Sequence, residues 1–396
     1  MILHVMDISL HGRSFSVMSL LLCVFYLAFI GLGLPDSLLG AAWPSVYPFF
    51  GVPVSACGMV SFLITASTVV SSLLGGRLHR RLGTGPVVAG STGLTALALW
   101  GFSLSRSYPM MCLMAVPYGL GAGCIDAVLN NEAALRYSAR HMNWLHCMWG
   151  VGCSLGPVLM SRAIGRAGWQ AGYRLVGLMQ TGLTLLLLCT MGLWRRREET
   201  APLSENRPSF RALLRRPGVW QAALRFLAYC GLESTAGLWA ASYLTLWKRV
   251  PVEQAAFWAG LFYVGITGGR VGSGFLSQRL SDGRMIGIGL GLLLAGIALL
   301  LLPLPAWCAL AGLVLCGLGC APIYPSMLHE TPRLFGQADS QSMMSLQMAS
   351  AYVGSALMPP LLGLIAQKGS FGVYPVFLLA LWLALGLNRR VAATKA

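Results

Sequence analysis

Val151-Gly152-Cys153-Ser154-Leu155-Gly156-Pro157 reads again, 202 residues later, as Val353-Gly354-Ser355-Ala356-Leu357-Met358-Pro359. Gly119-Leu120-Gly121-Ala122-Gly123 returns as Gly317-Leu318-Gly319-Cys320-Ala321 at an offset of 198. Gly76-Arg77-Leu78, ahead of a basic turn, returns as Gly274-Phe275-Leu276 at the same offset of 198. One glycine-rich match carries little. Three in one order, at nearly one offset, point to a duplicated membrane domain. Carriers are built in this way, with a solute held between two related halves.

Composition fixes the solvent. Hydrophobic residues make up 56% of the chain and charged residues 10%, with a mean hydropathy of +0.69. That charge is too sparse to cover a soluble protein of this size, and the apolar residues run in long blocks. Twelve blocks reach the roughly 20 residues that a membrane span needs: 16–45, 52–76, 84–104, 108–136, 142–166, 170–194, 218–247, 253–279, 284–303, 305–330, 339–366 and 370–388. The class is an all-α membrane protein with twelve transmembrane helices in two pseudo-symmetric six-helix bundles. The expected division is 1–194 for the first bundle, 195–217 for a basic linker and 218–396 for the second. Residues 1–15 are polar and mixed, and no cleavable leader is expected there.

The net charge of +16 has a membrane explanation rather than a nucleic-acid one. With a cytoplasmic N-terminus, nineteen Lys and Arg fall in inside segments and seven in outside loops. This is the positive-inside bias, so both termini are expected in the cytoplasm. The stretch Arg195–Pro217 holds seven of the nineteen. It fits either a charged tether or a short basic helix on the membrane surface. The eleven cysteines make no C-x-x-C pair and read as small packing residues.

Ionisable residues inside spans are costly and therefore informative. Asp36 follows Pro35, which interrupts a helix and frees backbone groups. It either lines a cavity or caps the broken helix. In the fourth span Gly119, Gly123, Asp126 and Asn130 recur at steps of four, three and four, on one helical face. Asp126 and Asn130 are candidate solute contacts, with an interhelical hydrogen bond as the structural alternative. Glu132 lies nearer the helix end and is expected to pair with Arg136. Glu233, near Gly237 and Trp239, suits polyhydroxyl groups with the indole as a stacking surface. Pairing with Arg225 or Arg270 is the alternative. Asn143, His146 and Gly150 share a face, with Trp149 adjacent. His146 can donate, accept or titrate. Tyr324 stands at the repeat position of Asp126, and Gln347 and Tyr352 are further polar candidates. No second His sits at metal-ligand spacing, and no metal or cofactor is expected. No catalytic motif and no P-loop is present, so the chain reads as a non-enzyme.

These features together resemble the major facilitator superfamily over essentially the whole chain. Gly75-Gly76-Arg77-Leu78-His79-Arg80-Arg81-Leu82-Gly83 resembles the superfamily's loop between helices two and three, usually G-x-L-x-D-R-x-G-R. Arg80 stands where that pattern has its acid, and the counterpart in the second half is Gln278. Gly76, Arg80, Arg81 and Gly83 are read as this gating loop. Within the superfamily the chain is similar to the fucose permease-like sugar:proton symporters. Pro35-Asp36-Ser37-Leu38-Leu39 resembles their D-T-x-L element, and Cys124–Asn130 their C-L-E-T-A-A-N. Asn143-Trp144-Leu145-His146 followed by Gly150 resembles their N-L-x-Q…G stretch. Glu233…Gly237-x-Trp239…Tyr243, Gly265-x-x-x-Gly269-Arg270 and Ala321–Pro325 follow the same branch. The resemblance implies proton coupling and sugar recognition by Asp36 and Asp126. It implies alternating access around a midplane cavity, with a sugar-like solute, protons and the lipid bilayer as partners. A proton-antiporting exporter of drugs or metabolites is the competing expectation. A monomer in a bacterial cytoplasmic (inner) membrane is expected.

Overall fold

A computed structural model describes residues 20–136, 139–194 and 214–387. They form twelve long helices joined by short turns. The helices are α1 (Leu20–Phe50), α2 (Ala56–Leu82), α3 (Thr84–Leu104), α4 (Tyr108–Arg136), α5 (Ala139–Ala167) and α6 (Trp169–Cys189). After the central segment follow α7 (Val219–Leu246), α8 (Val252–Leu276), α9 (Asp282–Leu301), α10 (Ala306–His329), α11 (Gln337–Lys368) and α12 (Val373–Leu387). Residues 195–213, most of the expected basic linker, lie outside the described residues. Among the described residues, eight helices are long and apolar enough to cross a membrane on length and composition alone. α5, α7, α8 and α12 are not among the eight. α12 is apolar but short, whereas α5, α7 and α8 are long enough but carry polar side chains within their apolar sequence.

Helix ends follow local chemistry. α1 continues through Pro44 and Pro48 and stops at Gly51, whose φ of 64° is a left-handed closure that glycine adopts freely. α1 is irregular at Ser37, two residues after Pro35; the missing proline N–H frees the Gly31 carbonyl, which accepts from Gln180 Nε2 of α6 instead. The basic turn needs a correction. Gly76, Arg80 and Arg81 are not in a loop but in the last turns of α2, which ends only at Gly83 with φ 84°. Basic side chains there complement the partial negative charge of the helix C-terminus, so the sequence has reason to stay helical.

The repeated motifs make equivalent contacts in the two halves. A side chain at Gly152 in α5 would strike the Ile30 carbonyl of α1, and one at Gly354 in α11 would strike the Leu227 carbonyl of α7. Gly119 in α4 meets Ile64 of α2 in the same way, and Gly317 in α10 meets Phe262 of α8. In a bilayer, helices gain little from hydrophobic transfer, so close backbone approach at small residues holds them together. The four pairs α1–α5, α2–α4, α7–α11 and α8–α10 are therefore one packing scheme used twice.

The halves meet through α1–α7, α2–α11 and α5–α8. Gly40 abuts the Leu238 carbonyl, Gly58 sits against Pro360, and Gly260 against Pro157. Ser55 Oγ donates to Gln367 Oε1, and Ser161 Oγ donates to the Glu253 carbonyl at 2.7 Å. These ties lie at the end remote from the start of α1 and the end of α12. Among the described residues at the opposite end, three ties each join parts of one half. Thr84 Oγ1 donates to Glu132 at 2.9 Å, Arg225 pairs with Glu330 at 3.0 Å, and Arg216 pairs with Asp339.

Candidate functional site

A cavity of about 290 Å³ lies between the halves, walled by α1 to α8 and α11. This is at the small end of the range for small-molecule sites, roughly 300–1,000 Å³. Two carboxylates face it, one from each half: Asp36 of α1 and Glu233 of α7. They stand 197 residues apart, almost the repeat offset, on equivalent helices.

Asp36 is held on both oxygens. Tyr118 O–H donates to Oδ1 at 2.8 Å, and Trp149 Nε1–H donates to Oδ2 at 2.9 Å. Both donors come from other helices, α4 and α5, so the carboxyl group is fixed in direction. Donation of this kind favours an ionised acceptor, whereas removal from water opposes it. Across the cavity the single proton of Tyr229 O–H is shared between Glu233 Oε2 and the Cys320 carbonyl, the latter at 2.9 Å. Glu233 Oε1 lies 4.0 Å from Arg270 of α8. The Arg270 guanidinium lies over the Trp149 ring, 5.0 Å from its centroid. Trp149 therefore touches Asp36 in one half and Arg270 in the other.

The rest of the wall is rich in hydroxyls. Ser61, Thr65 and Thr68 line one face of α2, and Tyr263, Tyr352 and Ser355 line the facing half. Hydroxyls donate and accept, so they suit a solute with many groups of the same kind. Sequence reasoning did not single out Tyr118, Tyr263 or the α2 hydroxyls. The i, i+4, i+7 spacing of Ser61, Thr65 and Thr68 was the signal available.

The sequence candidates separate into groups. Asp36, Trp149, Glu233 and Tyr352 line the cavity. Asp126 and Asn130 stay together but off this wall: Asn130 Nδ2 donates to Asp126 Oδ1 at 2.8 Å and to its backbone carbonyl at 2.9 Å. His146 is exposed, edge-on to Phe29 at 5.7 Å. The side chain of Asn143 lies outside the described residues. Tyr324 packs against Phe226 and Tyr229, with its O–H on Met348 Sδ at 2.6 Å. Gln347 is buried and accepts from Thr331 Oγ1 at 3.0 Å, beneath the cavity rather than in it.

Trp239 is the clear correction. It is fully buried, and its Nε1–H donates to the Pro359 carbonyl at 2.8 Å, binding α7 to α11. The indole that faces the cavity is Trp149. Of the two expected partners for Glu233, Arg270 is the one in contact, because Arg225 is taken by Glu330.

The sequence model described as the Major Facilitator Superfamily matches residues 22–328 and again 249–394. "Bypass of stop codon protein 6" of Saccharomyces cerevisiae is 23% identical over 279 residues, covering 64% of this chain and 56% of that protein. "Multidrug resistance protein fnx1" of Schizosaccharomyces pombe is 26% identical over 136 residues, covering 33% of this chain and 26% of that protein. The chain thus spans about half the length of the first fungal relative and a quarter of the second. Among solved structures, the nucleoside transporter NupG superposes with a TM-score of 0.74 at 13% identity, over 92% of this chain and 97% of NupG. The peptide transporter POT in complex with alafosfalin superposes with a TM-score of 0.75 at 14% identity, over 94% and 95%. At such identities the likeness is one of fold.

Proposed function

The chain belongs to the Major Facilitator Superfamily and is a membrane transporter of that type, and from this premise we propose that it carries a monosaccharide-like solute by proton symport. The observation that carries the reading is the wall of the cavity. Two carboxylates, an indole and a set of Ser, Thr and Tyr hydroxyls converge on a space of about 290 Å³. A sugar needs such convergent polar groups beside an aromatic platform. The motif resemblance to the fucose permease-like branch points the same way.

In this reading Asp36 is the coupling group. It faces the cavity, and its hydrogen-bond donors Tyr118 and Trp149 come from two other helices of the same half. Gain or loss of a proton on Asp36 changes what Trp149 can donate to, and Trp149 also touches the opposite half through Arg270. Protonation is thereby linked to how the halves meet, which is the differential interaction that a coupled transition requires. Asp126, tied to Asn130 away from the wall, serves as a second proton site. With both termini in the cytoplasm, the end held by Ser55–Gln367 and Ser161–Glu253 is the outer one. The seam of α1–α7, α2–α11 and α5–α8 contacts would part in the alternate state.

A proton-antiporting exporter is the second reading, favoured by the fungal relative named for multidrug resistance. Uptake into proteoliposomes under an imposed pH gradient, across labelled hexoses, deoxyhexoses and amino sugars, separates the two. Accumulation that a protonophore abolishes supports sugar symport. Folded protein that accumulates no sugar, and instead expels amphiphilic compounds against the gradient, supports export.

A further inference from the structure

Directly behind two residues of the cavity wall, Trp149 and Glu233, stands a cation that a neutral solute would not use. Arg270 stands in α8, flanked by two residues of the wall. Its guanidinium is 5.0 Å from the Trp149 ring centroid, and Nη2 is 4.0 Å from Glu233 Oε1. Neither contact satisfies it. A guanidinium has five N–H donors in a planar fork, and stacking over an indole uses none of them. The ion pair is long, and the other oxygen of Glu233 is occupied by Tyr229. Among the described residues, Glu233 is the anion that reaches this guanidinium.

Arg225 provides an internal comparison. It is also deep in a helix of the second half, yet its side chain is 5% exposed and sits 3.0 Å from Glu330. Arg270 is 21% exposed. One arginine is sealed and paired, and the other is accessible and only loosely paired. A charge kept accessible within a membrane core is expensive unless something arrives to meet it.

We propose that Arg270 binds an acidic group on the solute, so that the cargo is a sugar acid: a monosaccharide ring bearing a carboxylate. This rests on the sugar-carrier reading. The fork of Arg270 matches a carboxylate in bidentate fashion. The ring then lies beside Trp149, and its hydroxyls face the Ser, Thr and Tyr groups of α2, α8 and α11. The arriving carboxylate competes with Glu233 for Arg270, so the occupied site differs electrostatically from the empty one. A simple organic acid would meet Arg270 and leave the hydroxyl wall unused.

The test uses pairs of sugars that differ only in the group at C6: glucuronate against glucose, and galacturonate against galactose. Binding to the purified full-length carrier is followed by ligand-induced thermal shift and by competition for a bound labelled sugar. The acid of each pair is expected to bind about tenfold more tightly or better, the scale of a charge-assisted hydrogen bond. In Arg270→Gln that ratio is expected to collapse towards unity, with Arg270→Lys intermediate. The ratio is the readout because a merely structural arginine would weaken both members of a pair alike. Equal binding of acid and neutral sugar in the unaltered protein overturns the inference and leaves the sugar reading intact. An acid preference that persists in Arg270→Gln also overturns it. Folded protein that binds neither member of any pair overturns the inference together with the reading beneath it.

Discussion

Trp149 Nε1 donates a 2.9 Å hydrogen bond to Asp36 Oδ2, joining α5 to α1 at the cavity wall. The same ring carries Arg270 at 5.0 Å. Trp149→Phe removes the donor and keeps an aromatic surface for Arg270. The expected outcome is a fall in proton-driven accumulation of about tenfold or more, the scale of a lost hydrogen bond to a charged group. Solute-for-solute exchange should be affected less. Equal loss in both assays would assign Trp149 to general solute binding rather than to coupling.

Asp36 and Asp126 can be separated. Asp36→Asn keeps a side chain of the same size but cannot release a proton, so accumulation should vanish while exchange persists. Asp126 lies off the wall and is engaged by Asn130. Asp126→Asn should reduce accumulation without abolishing it. The ratio of gradient-driven uptake to exchange in the two variants decides between one coupling carboxylate and two.

Trp239 is a structural residue. It is fully buried and donates to Pro359. Trp239→Ala should destabilise the carrier by about 3–5 kcal/mol, as for other large buried aromatic truncations. The lost stability is read as a lower melting temperature in detergent. Trp239→Phe, which fills most of the space, should leave the half-saturation for solute close to that of the unaltered protein. A large rise there would return Trp239 to the site.

Arg225 and Glu330 form a buried pair, with side chains 5% and 9% exposed. Arg225→Met strands a carboxylate in the bundle and should cost about 3–5 kcal/mol. The double variant Arg225→Met/Glu330→Leu should recover most of this, because the uncompensated charge is gone. Thermal melts of the single and double variants check the pair. No recovery would mean that the arginine holds the fold by more than its charge.

The packing scheme used twice makes a symmetric prediction. Gly152→Val should disrupt α1–α5, and Gly354→Val should disrupt α7–α11, because each added side chain meets a backbone carbonyl. Both variants should show reduced yield of monodisperse protein. A tolerated change in one half alone would show that the two contacts are not equivalent.

Helix number, approximate helix limits and the duplication are all legible in the order of the amino acids. Those follow from hydropathy over about 20 residues and from glycines wherever two backbones must touch, both of which are local. A carboxylate in a span is rare enough to stand out, which singled out Asp36 and Glu233, now on the cavity wall, but equally Asp126, which is off it. Tertiary structure decided which polar groups share one space. Trp239 was a reasonable partner for Glu233 by proximity, but six residues along a helix turn the side chain by about 120° to another face. Trp149 came to the cavity because Gly33 and Gly152 bring α1 and α5 into backbone contact, setting the indole against Asp36. Tyr118, Tyr263 and the hydroxyls of α2 resemble many others in the chain, and only the arrangement of helices distinguishes those that meet the solute space. The pairing of Arg225 with Glu330, which leaves Arg270 for Glu233 and the cavity, was likewise fixed by which helices lie side by side.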